Sequence, residues 1–122
     1  MEKVESKALI SNVFTFNEFG VCTNPEIVWY FMPKGALAWA YLQIEVAYKD
    51  GLWCEGYASI AGGSPCSLPR FKSKEEAIEQ AIKGIKVSLN SDSGLLSKDK
   101  RKQYLDAFNK WRVSRIQYQI FN

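Results

Sequence analysis

The chain has 122 residues, 47% of them hydrophobic and 14% aromatic, a length and composition that predict one folded domain over residues 1–122 and exclude a disordered polar chain. It contains no histidine, which removes the usual general base, the usual catalytic triads and the most versatile transition-metal ligand together. The net charge is +3, yet residues 98–122 carry +5 and residues 1–97 carry −2, so the positive field belongs to the C-terminal end.

No apolar run reaches the roughly 18 residues needed to cross a bilayer. The start, MEKVESKALISNVFTF, lacks the basic segment, long apolar stretch and small-residue cleavage site of a secretory signal. A cytoplasmic chain without a membrane partner is expected. Cys22, Cys54 and Cys66 are odd in number and lack the paired spacing of a zinc site or a disulfide framework, so reduced thiols are expected, with no metal and no cofactor.

In chain order, ALISNVFTF (8–16) accommodates a strand, and NEFG (17–20) supplies a turn after it. IVWYFM (27–32) is short and rich in β-branched and aromatic residues, as a buried strand is. Pro33, Lys34 and Gly35 mark a turn. LAWAYLQIEVAY (37–48), Lys49-Asp50-Gly51 and LWCEGYASIA (52–61) then read as a hairpin. A two-residue turn at Asp50-Gly51 mixes Glu55 into the face of Leu42, Ile44 and Val46. A three-residue loop with Gly51 left-handed pairs Tyr48 with Leu52 and collects Leu42, Ile44, Val46, Tyr48, Leu52, Cys54, Ala58 and Ile60 on one apolar face, so this register is expected.

AGGSPCSLPRFKSKEEA (61–77) leads from the hairpin into a helix. Glycines before a helix suggest a phosphate loop, but a Walker-type loop needs a Lys-Ser/Thr pair at the helix start. Here Gly62-Gly63 lie ten residues before Ser73, and Glu75 and Glu76 repel an anion there. The stretch is expected to be a corner that turns the chain off the sheet. Ser73 and Glu76 form a capping box, and Ala77, Ile78, Ala81, Ile82, Ile85 and Leu89 share one helical face. After NSDSG, Ser97 caps a second helix from Lys98 to near Gln119.

Two constellations are candidates for function. On the last helix, Tyr104, Phe108, Trp111 and Tyr118 form one stripe and Leu105, Val113, Ile116 and Ile120 another, with Arg101, Arg112 and Arg115 between. Either the helix is wedged between two neighbours with arginine stems at its edges, or Arg101, Tyr104, Phe108, Trp111, Arg112 and Arg115 are a partner-binding surface of hot-spot residue types. Basic residues and stacking aromatics also suit nucleic acid, for which this charge is a moderate footprint. In the expected hairpin register Glu45 lies opposite Glu55, a pair suited either to solvation beside lysines or to acid–base work. With Trp39, Tyr41, Gln43, Trp53, Tyr57 and Ser59 it outlines a second patch, centred on Tyr41, Glu45, Trp53, Glu55 and Tyr57, that is exposed if the helices cover only the aliphatic face.

Two resemblances accompany these readings. Two strands followed by SKEEAIEQAIKGI, over residues 40–87, resemble the latter half of a double-stranded RNA-binding domain. That family opens its helix with a lysine cluster; here Lys74 stands alone before Glu75 and Glu76, so its function is not carried over. Gly51-Leu52-Trp53, a glycine-containing loop and the Phe71–Ala77 motif F-x-S-x-E-E-A, within residues 40–89, are similar to small uncharacterised accessory proteins of bacterial plasmids, integrative elements and phages. The resemblance implies a protein that binds a host or element protein, sometimes as an inhibitor.

The expected fold is α+β, an antiparallel sheet of three or four strands with two C-terminal helices packed against it. The expected function is a non-enzymatic binding module for a protein or nucleoprotein partner. Direct nucleic-acid binding is the alternative, and an enzyme using Glu45 and Glu55, or a reactive Cys54 or Cys66, is the remote one.

Overall fold

In the computed structural model, residues 14–60, 62–91 and 96–121 are described, the last four of these as backbone only. Strands β1 (Glu26–Phe31), β2 (Leu42–Lys49), β3 (Leu52–Ser59) and β4 (Gly62–Phe71) precede helices α1 (Lys74–Asn90) and α2 (Lys98–Phe121). The strands form one sheet in the order β1-β2-β3-β4, every neighbouring pair antiparallel. The fold is therefore α+β, with four strands and two C-terminal helices. Among the described residues no helix is long and apolar enough to cross a membrane.

The β2–β3 hairpin differs from the expected one. Asp50 and Gly51 both have positive φ, 54° and 89°, and Lys49 pairs with Leu52, so the connection is a two-residue turn of the mirror-image kind that matches strand twist. The pleat alternates at every residue, so this one-residue slip moves all of β3 to the other face. Trp53, Tyr57 and Ser59 join Leu42, Ile44 and Val46, whereas Cys54, Gly56 and Ala58 lie with Gln43, Glu45 and Ala47. Turn chemistry outweighs the penalty of bringing Glu55 to the side of Val46.

The stretch expected to be a corner is also different. Residues 62–71 are the fourth strand, not an exit from the sheet. Pro65 and Pro69 cannot donate to a ladder, but β4 is an edge strand whose pairing with β3 is twice irregular, and both prolines fit there. Leu68, between them, adopts the left-handed conformation at φ 59°. The chain leaves the sheet only at Phe71, and Ser73 then caps α1 by accepting from the Glu76 N–H at 3.1 Å.

Both helices lie on the Leu42, Ile44 and Val46 side. Ala77, Ile78, Ala81, Ile82, Ile85 and Leu89, the apolar stripe of α1, are buried there with Ala40, Tyr104 and Phe108. Each fully buried aliphatic side chain in this layer contributes about 1.5–3 kcal/mol. Tyr57 packs against Gly84 so closely that a Cβ there would lie 2.5 Å from its Cζ. Ser59, 8% exposed, bonds the Ser88 hydroxyl at 2.6 Å.

The other face is covered in part by residues 14–24. Asn17–Gly20 make the expected turn, with Gly20 donating to the Asn17 carbonyl at 3.0 Å, and Phe16 bridges Cys22. Phe14 and Phe16 pack over a second cluster of Cys22, Ala47, Cys54 and Cys66. The rest of the expected first strand, residues 8–13, lies outside the described residues.

Candidate functional site

The last helix resolves in favour of the wedge. Tyr104 and Phe108 are each 1% exposed. Trp111 stacks on Trp29 of β1 with centroids 5.1 Å apart, and Tyr104 meets Phe31 edge-on at 5.6 Å. These three aromatics bind α2 to β1 and the core, Tyr104 and Phe108 fully buried and Trp111 partly so. The arginines are equally engaged. Arg101 donates through Nε to the Leu89 carbonyl at 2.7 Å and also through a terminal nitrogen, satisfying an open carbonyl at the end of α1. Arg115 pairs with Glu75 and, at 3.1 Å, with Glu79 across the antiparallel helices, and its Cζ stands over Trp111. Arg112 lies over Phe108 at 5.5 Å. The stripe that does reach solvent is the other one, where Val113 and Ile116 are each about half exposed.

The second patch is not assembled. Glu45 sits opposite Gly56 and Glu55 opposite Val46, so the register places the two carboxylates on opposite faces, not side by side as expected. Trp53 stacks edge-on with Tyr48 at 5.2 Å, under Lys74, and Tyr57 is beneath α1. Tyr41 alone of the aromatics stays near the other face, against Tyr30 at 5.6 Å. Gln43 donates to Glu45 at 2.9 Å. Glu55 is 7% exposed; Arg70 approaches one of its oxygens at 3.6 Å, and Oε2 is buried with no hydrogen-bond partner among the described residues. Burial pushes the Glu55 carboxyl up, Arg70 opposes this and Glu45 adds to it. Among the described residues no group of three or more His, Cys, Asp or Glu is placed to hold a metal ion.

Sequence reasoning missed the concave surface at the end of the sheet. The segment expected to begin β2 at Leu37 instead forms two successive turns, Ala36 donating to the Pro33 carbonyl at 3.1 Å and Ala40 to the Leu37 carbonyl at 2.9 Å. Buried Tyr104 then donates to the Ala40 carbonyl at 2.6 Å, which pins the connector to α2 across 64 residues of chain. Between them is a cavity of about 600 Å³, lined by Pro33, Leu37, Trp39 and Leu96 and by Lys34 and Lys100. Among the described residues no acidic side chain lines it and neither lysine makes an ion pair. Leu37 is 63% and Trp39 49% exposed, and Tyr30 and Met32 of the adjoining edge are also exposed. The visible signal was Pro33-Lys34-Gly35 followed by apolar residues without alternation, which the continuous run 37–48 disguised as strand.

Comparisons with known protein families, with curated proteins and with solved structures return no match.

Proposed function

We propose that this chain is a small non-enzymatic binding module that contacts a protein or nucleoprotein partner through the β1–β2 connector and the first turns of α2. The observation that carries the reading is the cavity beside Trp39, an open apolar concavity with Lys34 and Lys100 at its wall and no carboxylate among the described residues that line it. Aromatic, methionine and leucine side chains left in water around a basic concavity are what an interface core looks like before its partner arrives. The complementary ligand is an acidic segment carrying an apolar or aromatic anchor, drawn by the positive field and retained by desolvation in the pocket. The basic C-terminal helix keeps its part in this reading through Lys100 and Gln103, not through Tyr104, Phe108 and Trp111. The setting, an accessory or inhibitor protein of a mobile element, rests on the sequence resemblance alone.

The test is affinity capture from the native host, with and without nuclease, comparing the wild type with Lys34→Glu/Lys100→Glu and with Trp39→Ala. One protein retained after nuclease and lost with both variants supports the reading. Capture unchanged by both would reject the site. Direct nucleic-acid binding, with Trp39 stacking and the lysines on phosphates, predicts the opposite nuclease result and an affinity that falls steeply with salt.

A further inference from the structure

The cysteine cluster on the sheet's other face has no part in the proposed binding site, yet it brings two thiols from adjacent strands into contact. Cys54 of β3 and Cys66 of β4 place their Sγ atoms 3.4 Å apart, both side chains wholly buried. The contact depends on Gly56. A Cβ at that position would lie 2.6 Å from the Cys66 nitrogen and 2.9 Å from its Cα, so only glycine lets the Cys66 backbone come so near to β3. The third thiol, Cys22, is directed elsewhere and reaches Asn24 Oδ1 at 3.5 Å.

We propose that Cys54 and Cys66 are a redox pair that closes reversibly to a disulfide within the sheet, linking β3 to β4. A disulfide needs its sulfurs at about 2.05 Å; Cys66 lies opposite Gly56 and diagonal to Cys54, and closing the 3.4 Å gap takes side-chain rotation with a small shift at the irregular β3–β4 pairing beside them. The oxidant is hydrogen peroxide. One thiolate attacks one peroxide oxygen, forming an S–O bond as the O–O bond breaks, and the departing oxygen leaves as water after taking a proton. The other sulfur then attacks the first, the S–S bond forms, the S–O bond breaks, and a second water leaves with the resolving thiol's proton. Two thiols and one peroxide thus become one disulfide and two waters, the sulfurs losing two electrons and the peroxide gaining them.

The contact between the sulfurs shapes both thiols. The hydrogen bond between the two sulfurs lowers the Cys54 thiol, against the effect of burial, while that same bond and burial push Cys66 up. The 3.4 Å contact serves with either sulfur as the attacking thiolate and the other as the resolving thiol. Access comes through the cover, residues 14–24, which reach β4 by the isolated Val21↔Ser67 bridge and the Cys22 N–H to Cys66 carbonyl bond at 2.8 Å. A unit held by so few bonds opens at lower cost than the sheet beneath it. The reduced pair is the resting state, in keeping with the thiols expected of a cytoplasmic chain.

Trypsin releases residues 50–70 as one peptide, because no Lys or Arg lies between Lys49 and Arg70, and this peptide holds both cysteines. The folded protein is treated with equimolar hydrogen peroxide, quenched with an alkylating agent, digested and weighed. The expected result is a peptide 50–70 lighter by two hydrogens and unalkylated, formed at least ~10-fold faster than in urea because the fold holds the sulfurs together, and restored by a dithiol reductant. Cys66→Ser should stop at a sulfenic acid on Cys54 that dimedone traps, and Cys22→Ser should leave closure unchanged. If the 50–70 peptide keeps two alkylated cysteines, if its disulfide forms no faster folded than unfolded, or if Cys22 supplies a partner instead, the proposal is wrong. The wild-type measurement decides the matter even if a variant fails to fold.

Discussion

Tyr104→Phe removes a single oxygen and tests whether the connector is held by α2. The phenol donates to the Ala40 carbonyl at 2.6 Å in a site where Tyr104 is 1% and Ala40 4% exposed. Phenylalanine keeps the ring and its edge-on contact with Phe31, so packing is conserved and the lost quantity is the hydrogen bond plus the desolvated carbonyl left behind. Orphaning such a group costs about 1–3 kcal/mol. For a chain of this length, at ~2.1 cal/mol/K per residue, the unfolding entropy is roughly 0.26 kcal/mol/K, so a loss of ~2 kcal/mol lowers Tm by ~8 °C. Urea unfolding followed by circular dichroism and tryptophan fluorescence should show a lower midpoint with an unchanged m-value. The variant should also weaken partner capture, because the lost bond releases Ala40 and the connector that walls the cavity. A loss below about 0.5 kcal/mol would mean that water replaces the phenol and that the connector is not pinned as described.

Three further outcomes follow from the packing. Gly84→Ala, normally worth about 1 kcal/mol in a helix, should instead destabilise, since its Cβ would lie 2.5 Å from Tyr57 Cζ and overpacking costs ~1–3 kcal/mol. In a Tyr57→Leu background the same change should become stabilising, and a gain in both backgrounds would contradict the close packing. Arg101→Ala should cost about 1–2 kcal/mol in urea unfolding by leaving the Leu89 carbonyl uncapped, whereas Lys102→Ala, one residue along on a solvent-exposed ion pair, should change stability by less than ~0.5 kcal/mol. Glu55 has its folded pKa raised above 4.5, chiefly by burial, so its contribution to stability is fully present below the unfolded value and is lost as pH rises through the folded one. Glu55→Gln should therefore raise the urea midpoint at neutral pH and raise it less near pH 4; an equal gain at both would rule out titration of this carboxyl as the cause.

The strongest local signals were read correctly. The F-x-S-x-E-E-A start and the 3.6-residue spacing of Ala77 through Leu89 specify α1, and Ser97 with the pattern after it specifies α2, because a helix closes its hydrogen bonds within a few residues. IVWYFM reads as a strand for a similarly local reason, its β-branched and aromatic content. Yet β1 is an edge strand with no fully buried residue and not the buried strand expected, because among the described residues no strand lies on its outer side to cover it. The Asp50-Gly51 turn shows where that legibility ended. Its dipeptide carries the two-residue signal, but burying Glu55 argued for the longer loop, and only the three-dimensional setting, with Arg70 beside Glu55, makes the shorter register tolerable.

What the sequence by itself determined is the central hairpin's two strands, the strand before them, the two helices, and the concentration of positive charge in the last helix, but not the fourth strand at residues 62–71. What only the tertiary structure decided is which surfaces remain. The aromatic and arginine stripe of α2 has the same composition whether it faces a partner or the chain's own β1, and Trp29 across the sheet consumes it. Cys54 and Cys66 meet, and Lys34 and Lys100 share one cavity, through contacts between residues far apart in the chain. Residue spacing along one helix or strand encodes which side chains share a face, but the occupant of the opposite face is set by long-range packing, which no local pattern contains.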